Sequence, residues 1–372
     1  MRMRPFKLER FFAAHEFNVR HTLCSSDCEP LSQAELLEMA DDDSMELWDN
    51  LKLGYTESLG APHLREEIAG LYADVDPAEV LVCSPVEGIF VAMNAILEKG
   101  DHVICGFPDY QALDEVARAI GCEVERWTAD EGQGWRFDPA WLQKHIRPDT
   151  KLIVVNFPNN PTGFLPCLED FERIVYMARE RGAYLFSDEM YRHLELEDGA
   201  RLPSACDVYD RAVCLYGMSK AFGMAGVRIG WLVTKDPGLR QRLQEFKDYT
   251  TICSSAPSEV LSTIALRSKE KILERNRDII RANLDTLDGF FEKHDQVFYW
   301  DRPPAGTIAF PRILAGLDAD TFCDEVLEGA GVLLLPASVF EFGTDHCRVG
   351  FGRSDLPEAV AALEEHLALS CG

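Results

Sequence analysis

Residues 217–230 place Lys220 beside Ser219 and ahead of Arg228, with glycines at 217, 223, 226 and 230. Glycines at 223 and 226 argue against one continuous helix, so a loop would bring Lys220 and Arg228 together. A lysine amine forms an imine with an aldehyde, and a guanidinium fork holds a phosphate dianion through paired hydrogen bonds. The pair therefore suits a small molecule that carries both groups. A lysine taken alone is most often a solvated surface charge, so the assignment depends on what the chain places beside it.

Two further motifs stand in equivalent positions. Asn156-Phe157-Pro158-Asn159-Asn160-Pro161-Thr162-Gly163 follows an apolar run at 152–155, and by composition it is a turn. Asp188-Glu189-Met190-Tyr191 follows a run at 183–187 and offers an acid and a phenol three residues apart. The Lys220 segment follows a run at 212–216. Each motif sits just after a strand-like run, where ligands bind in open parallel sheets.

The elements that must position these motifs are legible from the pattern. Short apolar runs at 80–83, 102–105, 123–127, 152–155, 183–187, 212–216 and 229–233 read as strands. Segments 86–97, 109–120 and 138–146 read as helices between them. Such alternation implies an α/β fold with a mostly parallel sheet covered on both faces. A helix at 32–39 follows an irregular N-terminal arm, Asp41-Asp42-Asp43 reads as a solvated turn, and 63–72 reads as a helix. After about residue 258 the texture changes. A long amphipathic helix at 268–293 precedes strands at 297–300, 307–310, 332–335 and 347–351, a helix at 319–327 and a last helix from Pro357. The expected division is a large domain over 45–257 and a small α+β domain over 258–372, which the arm, 1–44, joins.

The 372 residues suit two domains rather than one core. A net charge of −26 repels nucleic acid and anionic membrane surfaces. No run approaches the roughly 18 apolar residues of a membrane helix, and the basic start is not followed by a signal-like apolar stretch. A cytoplasmic protein is expected. Twelve cysteines are scattered without CxxC spacing, which points to reduced core thiols and no metal.

In this order and spacing, Asn-Asn-Pro-Thr-Gly, Asp-x-x-Tyr and Ser-Lys-x₇-Arg resemble the fold type I, pyridoxal 5′-phosphate (PLP)-dependent aminotransferases of class I/II. The resemblance runs from Tyr55 to Arg353. It implies that Lys220 carries the cofactor as an imine and then moves the substrate α-proton. It implies that Asp188 keeps the pyridine nitrogen protonated, making the ring an electron sink. Asn160 and Tyr191 would hydrogen-bond the ring's phenolic oxygen, and Tyr110 would stack on its face. The phosphate would meet Arg228, Ser219 and the helix start at Val86 and Glu87, together with Tyr55 from a neighbouring subunit, hence a homodimer with shared sites. Arg348 would grip the substrate α-carboxylate, near Asn160.

Two departures stand out. Pro85 has no N–H to offer a phosphate, and position 217, often serine in the family, is glycine. The expected activity is transamination between an amino acid and a 2-oxo acid. The stretches around Val154, Asp248 and Arg348 also resemble a narrower group that includes capreomycidine synthase. That resemblance implies the alternative of a PLP-dependent lyase, cyclase or oxidase acting on a cationic amino acid. A third alternative, the aminotransferase-like sensor of a transcription regulator, conflicts with the acidic charge. Asp27 and Glu29 in the arm are expected to make the side-chain end of the pocket acidic, or else to face water.

Overall fold

A computed structural model of the chain describes residues 2–370 apart from Ala315 and Leu317. Met1 and Cys371 thus lie outside the described residues.

Seven strands form the central sheet: β1 (Val80–Cys83), β2 (His102–Phe107), β3 (Glu123–Thr128), β4 (Thr150–Asn156), β5 (Tyr184–Asp188), β6 (Ala212–Gly217) and β7 (Gly230–Val233). Their order is β1-β7-β6-β5-β4-β2-β3. Neighbours from β3 to β6 pair in parallel, while β7 runs antiparallel to both β6 and β1. Strands β5 and β6 are buried along their whole length, which is why they read as continuous apolar runs rather than alternating ones.

The helices in chain order are α1 (Lys7–His15), α2 (Gln33–Glu38), α3 (Asp42–Asp49), α4 (Pro62–Ala69), α5 (Pro85–Ile96), α6 (Ala112–Ile120), α7 (Pro139–His145), α8 (Leu168–Arg181), α9 (Ala205–Val208), α10 (Pro237–Lys247), α11 (Ala256–Arg267) and α12 (Lys269–Lys293). Four of them open on proline, where the missing N–H would have been unpaired anyway. Asp138 and Asp236 cap α7 and α10 by accepting backbone N–H groups.

The chain ends in smaller sheets. Strands β8 (Phe298–Tyr299) and β10 (Arg312–Ile313) pair with each other. Strand β12 (Cys347–Gly350) lies between β9 (Ile308–Ala309) and β11 (Leu335–Pro336). Helices α13 (Ala319–Ala330) and α14 (Leu356–Ser370) pack together, and α14 also packs on α12.

The N-terminal segment is more ordered than its sequence suggests. Residues 7–15 form a helix where an irregular arm was expected. The Asp41–Asp43 run is not a solvated turn, because Asp41 caps α3 by accepting the Ser44 N–H at 2.7 Å. The arm that follows α1 lies along β12, with Gly350 N donating to Leu23 O at 2.7 Å and Glu29 N to Gly352 O at 2.8 Å. A Cβ on Gly350 would sit 1.8 Å from Ser25 O, so only glycine allows this approach.

Candidate active site

The parallel strands end side by side, and their last residues carry the polar motifs. Asn156 closes β4 and Asp188 closes β5. Asn156 Nδ2 donates to the Asp188 carbonyl at 3.0 Å, while its Oδ1 accepts the Asn160 N–H at 2.7 Å. One side chain thus ties the turn after β4 to the end of β5. Lys220 follows β6 in a short loop. All three lengths of chain face one cavity of about 600 Å³.

Asp188 is 4 % exposed and accepts the Met190 N–H at 3.1 Å. Burial pushes its carboxyl up to about 7, against the opposing effects of that N–H and of Lys220. Burial likewise lowers the Lys220 ammonium below the usual lysine range. Its Nζ donates to Ser26 Oγ at 2.7 Å and stands 5.9 Å from the Tyr191 ring centre. Arg348, on β12, is 1 % exposed. It donates to Asn160 Oδ1 at 3.0 Å and to Cys24 O at 2.8 Å, while its Nε has no partner.

The other expected residues divide into two groups. Tyr110, Tyr191, Ser219, Val86 and Arg228 line the cavity. The Tyr110 hydroxyl donates to Glu9 Oε1 at 2.9 Å. Arg228 adopts a left-handed backbone, φ 56°, and donates from Nη2 to Ser84 Oγ at 3.1 Å. Glu87 and Tyr55 are not among the lining residues. The Glu87 carboxylate accepts the Ser84 N–H at 3.1 Å and the Thr251 hydroxyl at 2.6 Å, so only its backbone is left for a ligand. Tyr55 is 91 % exposed.

The arm corrects the expectation for its acids. Asp27 lines the cavity but is paired through both oxygens with Arg353, at 3.1 Å each. Glu29 instead accepts the Ser354 N–H and hydroxyl, both at 2.8 Å, outside the cavity. The acids that sequence reasoning missed are Glu9 and Glu16, which line the cavity with Phe12 from α1 and the turn after it. Their signal was the helical spacing of Leu8, Phe11 and Phe12 inside a segment too short and charged to stand out.

Position 217 also has a physical explanation. A Cβ there would lie 2.8 Å from Gly230 Cα, 3.0 Å from Ile229 O and 3.3 Å from the Pro85 ring. The backbones of β6 and β7 and the proline that opens α5 leave no room for a serine.

The chemistry of the cavity fits PLP. Among the described residues the buried Ser219 and Tyr191 hydroxyls find no hydrogen-bond partner. Ser26 lies close enough to favour the Tyr191 phenolate, but no bond of good geometry joins them. Buried hydroxyls of this kind are ordinarily paired, and phosphate and phenolic oxygens would pair them. A buried carboxyl raised to about 7 is matched by a cationic ring nitrogen, which would return it to the ionised form.

Comparison with known proteins agrees with this chemistry. The aminotransferase class I and II profile matches residues 23–363. An aspartate aminotransferase of Pyrococcus horikoshii is 27% identical over 332 residues, covering 84% of this chain and 83% of its own. Capreomycidine synthase of Streptomyces vinaceus is 28% identical over 325 residues, covering 86% and 82%. Among solved structures, a PLP-dependent aminotransferase from Streptococcus suis superposes with a TM-score of 0.93 at 30% identity over 99% of both chains. The PLP-dependent cyclase OrfR superposes with a TM-score of 0.90 at 27% identity, over 100% of this chain and 98% of its own. The chain belongs to the class I and II aminotransferases, enzymes of fold type I that work with pyridoxal 5′-phosphate.

Proposed function

We propose that the protein transfers an amino group from an amino acid to a 2-oxo acid. The observation that carries the reading is the convergence of Lys220, Asp188 and Arg348 on one cavity from β6, β5 and β12. When bound, the cofactor supplies a ring that accepts the electron pair left at the substrate Cα. Arg348 fixes the substrate carboxylate through the guanidinium edge that Asn160 and Cys24 leave free. Lys220 Nζ would hold the cofactor's aldehyde carbon at rest and, once the substrate amine has taken its place there, would move the proton at Cα. Its lowered pKa favours the neutral amine that both tasks require. Asp188 would hold a proton on the ring nitrogen. Ser219 and Arg228 would bind the phosphate with the first turn of α5, Tyr110 would cover the ring face, and Leu8 and Phe12 of α1 add apolar lining.

The same reading makes the protein a homodimer in the cytoplasm, where buried thiols such as Cys83 and Cys105 stay reduced. Leu53, Tyr55 and Tyr249 are among the most exposed large side chains. A second copy covering them would bring Tyr55 to its own phosphate site.

A second reading has an observation of its own. With Asp188 assigned to the ring and Asp27 paired to Arg353, Glu9 and Glu16 line the cavity and form no ion pair among the described residues. Burial raises the Glu16 carboxyl, and Asp27 and Glu9 add to that effect, against Arg353 and Lys220. Two spare carboxylates favour a substrate with a cationic side chain, as in elimination, cyclisation or oxidation of a basic amino acid. Product analysis with a panel of amino acids, with and without 2-oxo acids, separates the readings. Consumption of the 2-oxo acid with formation of a new amino acid supports transamination. Turnover of a basic amino acid without any 2-oxo acid supports the second reading instead.

A further inference from the structure

We infer that Lys247 and Glu259 are positioning residues that set Tyr55 against the cofactor phosphate of a second copy of this chain. The inference rests on the shared-site reading above. Lys247 ends α10 and Glu259 lies in the first turn of α11; they are 0 % and 1 % exposed. Taking a lysine and a glutamate out of water costs several kcal/mol each unless good partners replace the water. Among the described residues no ion pair joins these two side chains, and neither lines the cavity. What they share is a grip on one loop.

Glu259 Oε2 accepts the Ala61 N–H at 3.2 Å and Oε1 accepts the Thr56 hydroxyl at 3.4 Å. Lys247 Nζ donates to the Ser58 carbonyl. The Ser58 hydroxyl reaches Asp248 Oδ1 at 3.2 Å, and the Thr56 hydroxyl also reaches Ser254 O at 3.2 Å. Residues 56, 58 and 61 are therefore bound from beneath, one after another. The tip just ahead of them carries Leu53 at 86 % exposure and Tyr55 at 91 %.

Two buried charges holding a solvent-exposed phenol make sense if the phenol must arrive at a fixed point. A hydroxyl reaching across an interface to a phosphate is a charge-assisted bond, which weakens with small errors of position. A loop free to sway would lose that bond, and the fixed base prevents this.

The test is a double-mutant cycle of Lys247→Met with Tyr55→Phe, read as equilibrium binding of PLP by absorbance, with phosphate-free pyridoxal as the second probe. Each single change is expected to weaken PLP roughly tenfold, the cost of a lost bond to a charged group. The double variant is expected to be no worse than the poorer single, and pyridoxal affinity to stay unchanged. Additive losses, or an equal loss for pyridoxal, would overturn the inference. Glu259→Gln keeps the shape of the grip without its charge and serves if Lys247→Met fails to fold. Its loss too should vanish in the Tyr55→Phe background, and a loss that persists there overturns the inference. In mixed dimers with a Lys220→Ala chain, borohydride labelling reports only the copy that retains Lys220. The Lys247→Met loss is expected when it is carried by the Lys220→Ala chain, and its appearance only within the labelled chain overturns the action across the interface. A silent Tyr55→Phe would instead remove the shared-site reading itself.

Discussion

Lys220 Nζ donates a 2.7 Å hydrogen bond to Ser26 Oγ, so the amine at the end of the central sheet is held by the N-terminal arm. A hydroxyl at that distance accepts from the ammonium and orients the neutral amine equally well. After incubation with PLP and reduction with borohydride, peptide mapping is expected to find the pyridoxyl group on Lys220. Labelling of another lysine, with Lys220 unmodified, would refute the site.

Asp188 gives the cofactor-free protein a pH dependence of definite sign. Its carboxyl is raised from 3.8 to about 7 by burial, so the native state keeps a proton that the unfolded chain has lost. The stability from that proton is complete below the unfolded value and disappears as pH rises through about 7. Asp188→Asn removes the ionisation. Relative to wild type it is expected to gain up to about 4 kcal/mol on going from acidic to mildly alkaline pH. Denaturant titrations of the two cofactor-free proteins check this. Equal slopes would show that the carboxyl is already ionised at low pH.

Restoring the family's usual residue at one position is expected to do harm. Gly217→Ser puts a Cβ 2.8 Å from Gly230 Cα, and backbone cannot yield as a side chain can. Overpacking of this kind costs about 1–3 kcal/mol, so a lower melting temperature and weaker PLP binding are expected. Calorimetry of the variant decides. An unchanged or raised melting temperature would mean that β6 and β7 can separate there.

The second reading gives Glu9 and Glu16, which line the cavity, the choice of substrate. Glu9→Gln and Glu16→Gln are each expected to lower kcat/KM for arginine or ornithine by roughly tenfold, the effect of losing about 1.4 kcal/mol, and to spare alanine. Glu29→Gln should change nothing, since Glu29 is bound to Ser354. A preference for glutamate over arginine would reverse the charge argument.

What the sequence disclosed follows from how local each signal is. The runs that became β4, β5 and β6 are apolar because both sheet faces are covered, and a polar group comes at or just after each: Asn156 and Asp188 end β4 and β5, and Lys220 lies in the loop after β6. That placement drew attention to Lys220 and Asp188, and the family resemblance supplied their roles. Helix α1 could not, because its hold on the body is made by distant residues. Arg4 donates to Glu115 at 2.6 Å and to Glu341 at 2.8 Å, and Lys7 N donates to Gln111. The Asp41–Asp43 run misled for a related reason, since an acidic cluster looks the same in a turn and in a first helical turn. Asp27 could be placed neither at the pocket nor in water from its neighbours, because its partner Arg353 lies at the far end of the sequence.

The seat that Gly350 provides for Ser25 bears on when the site comes into being. Arg348 and Cys24 are separated by 324 positions in the chain yet share a hydrogen bond. During synthesis the arm emerges first and has no strand to lie against until β12 has been made. Closing so long a loop is slow compared with local folding. The central sheet, with Asp188 and Lys220, can therefore form before the arm and β12 bring Cys24 and Arg348 together.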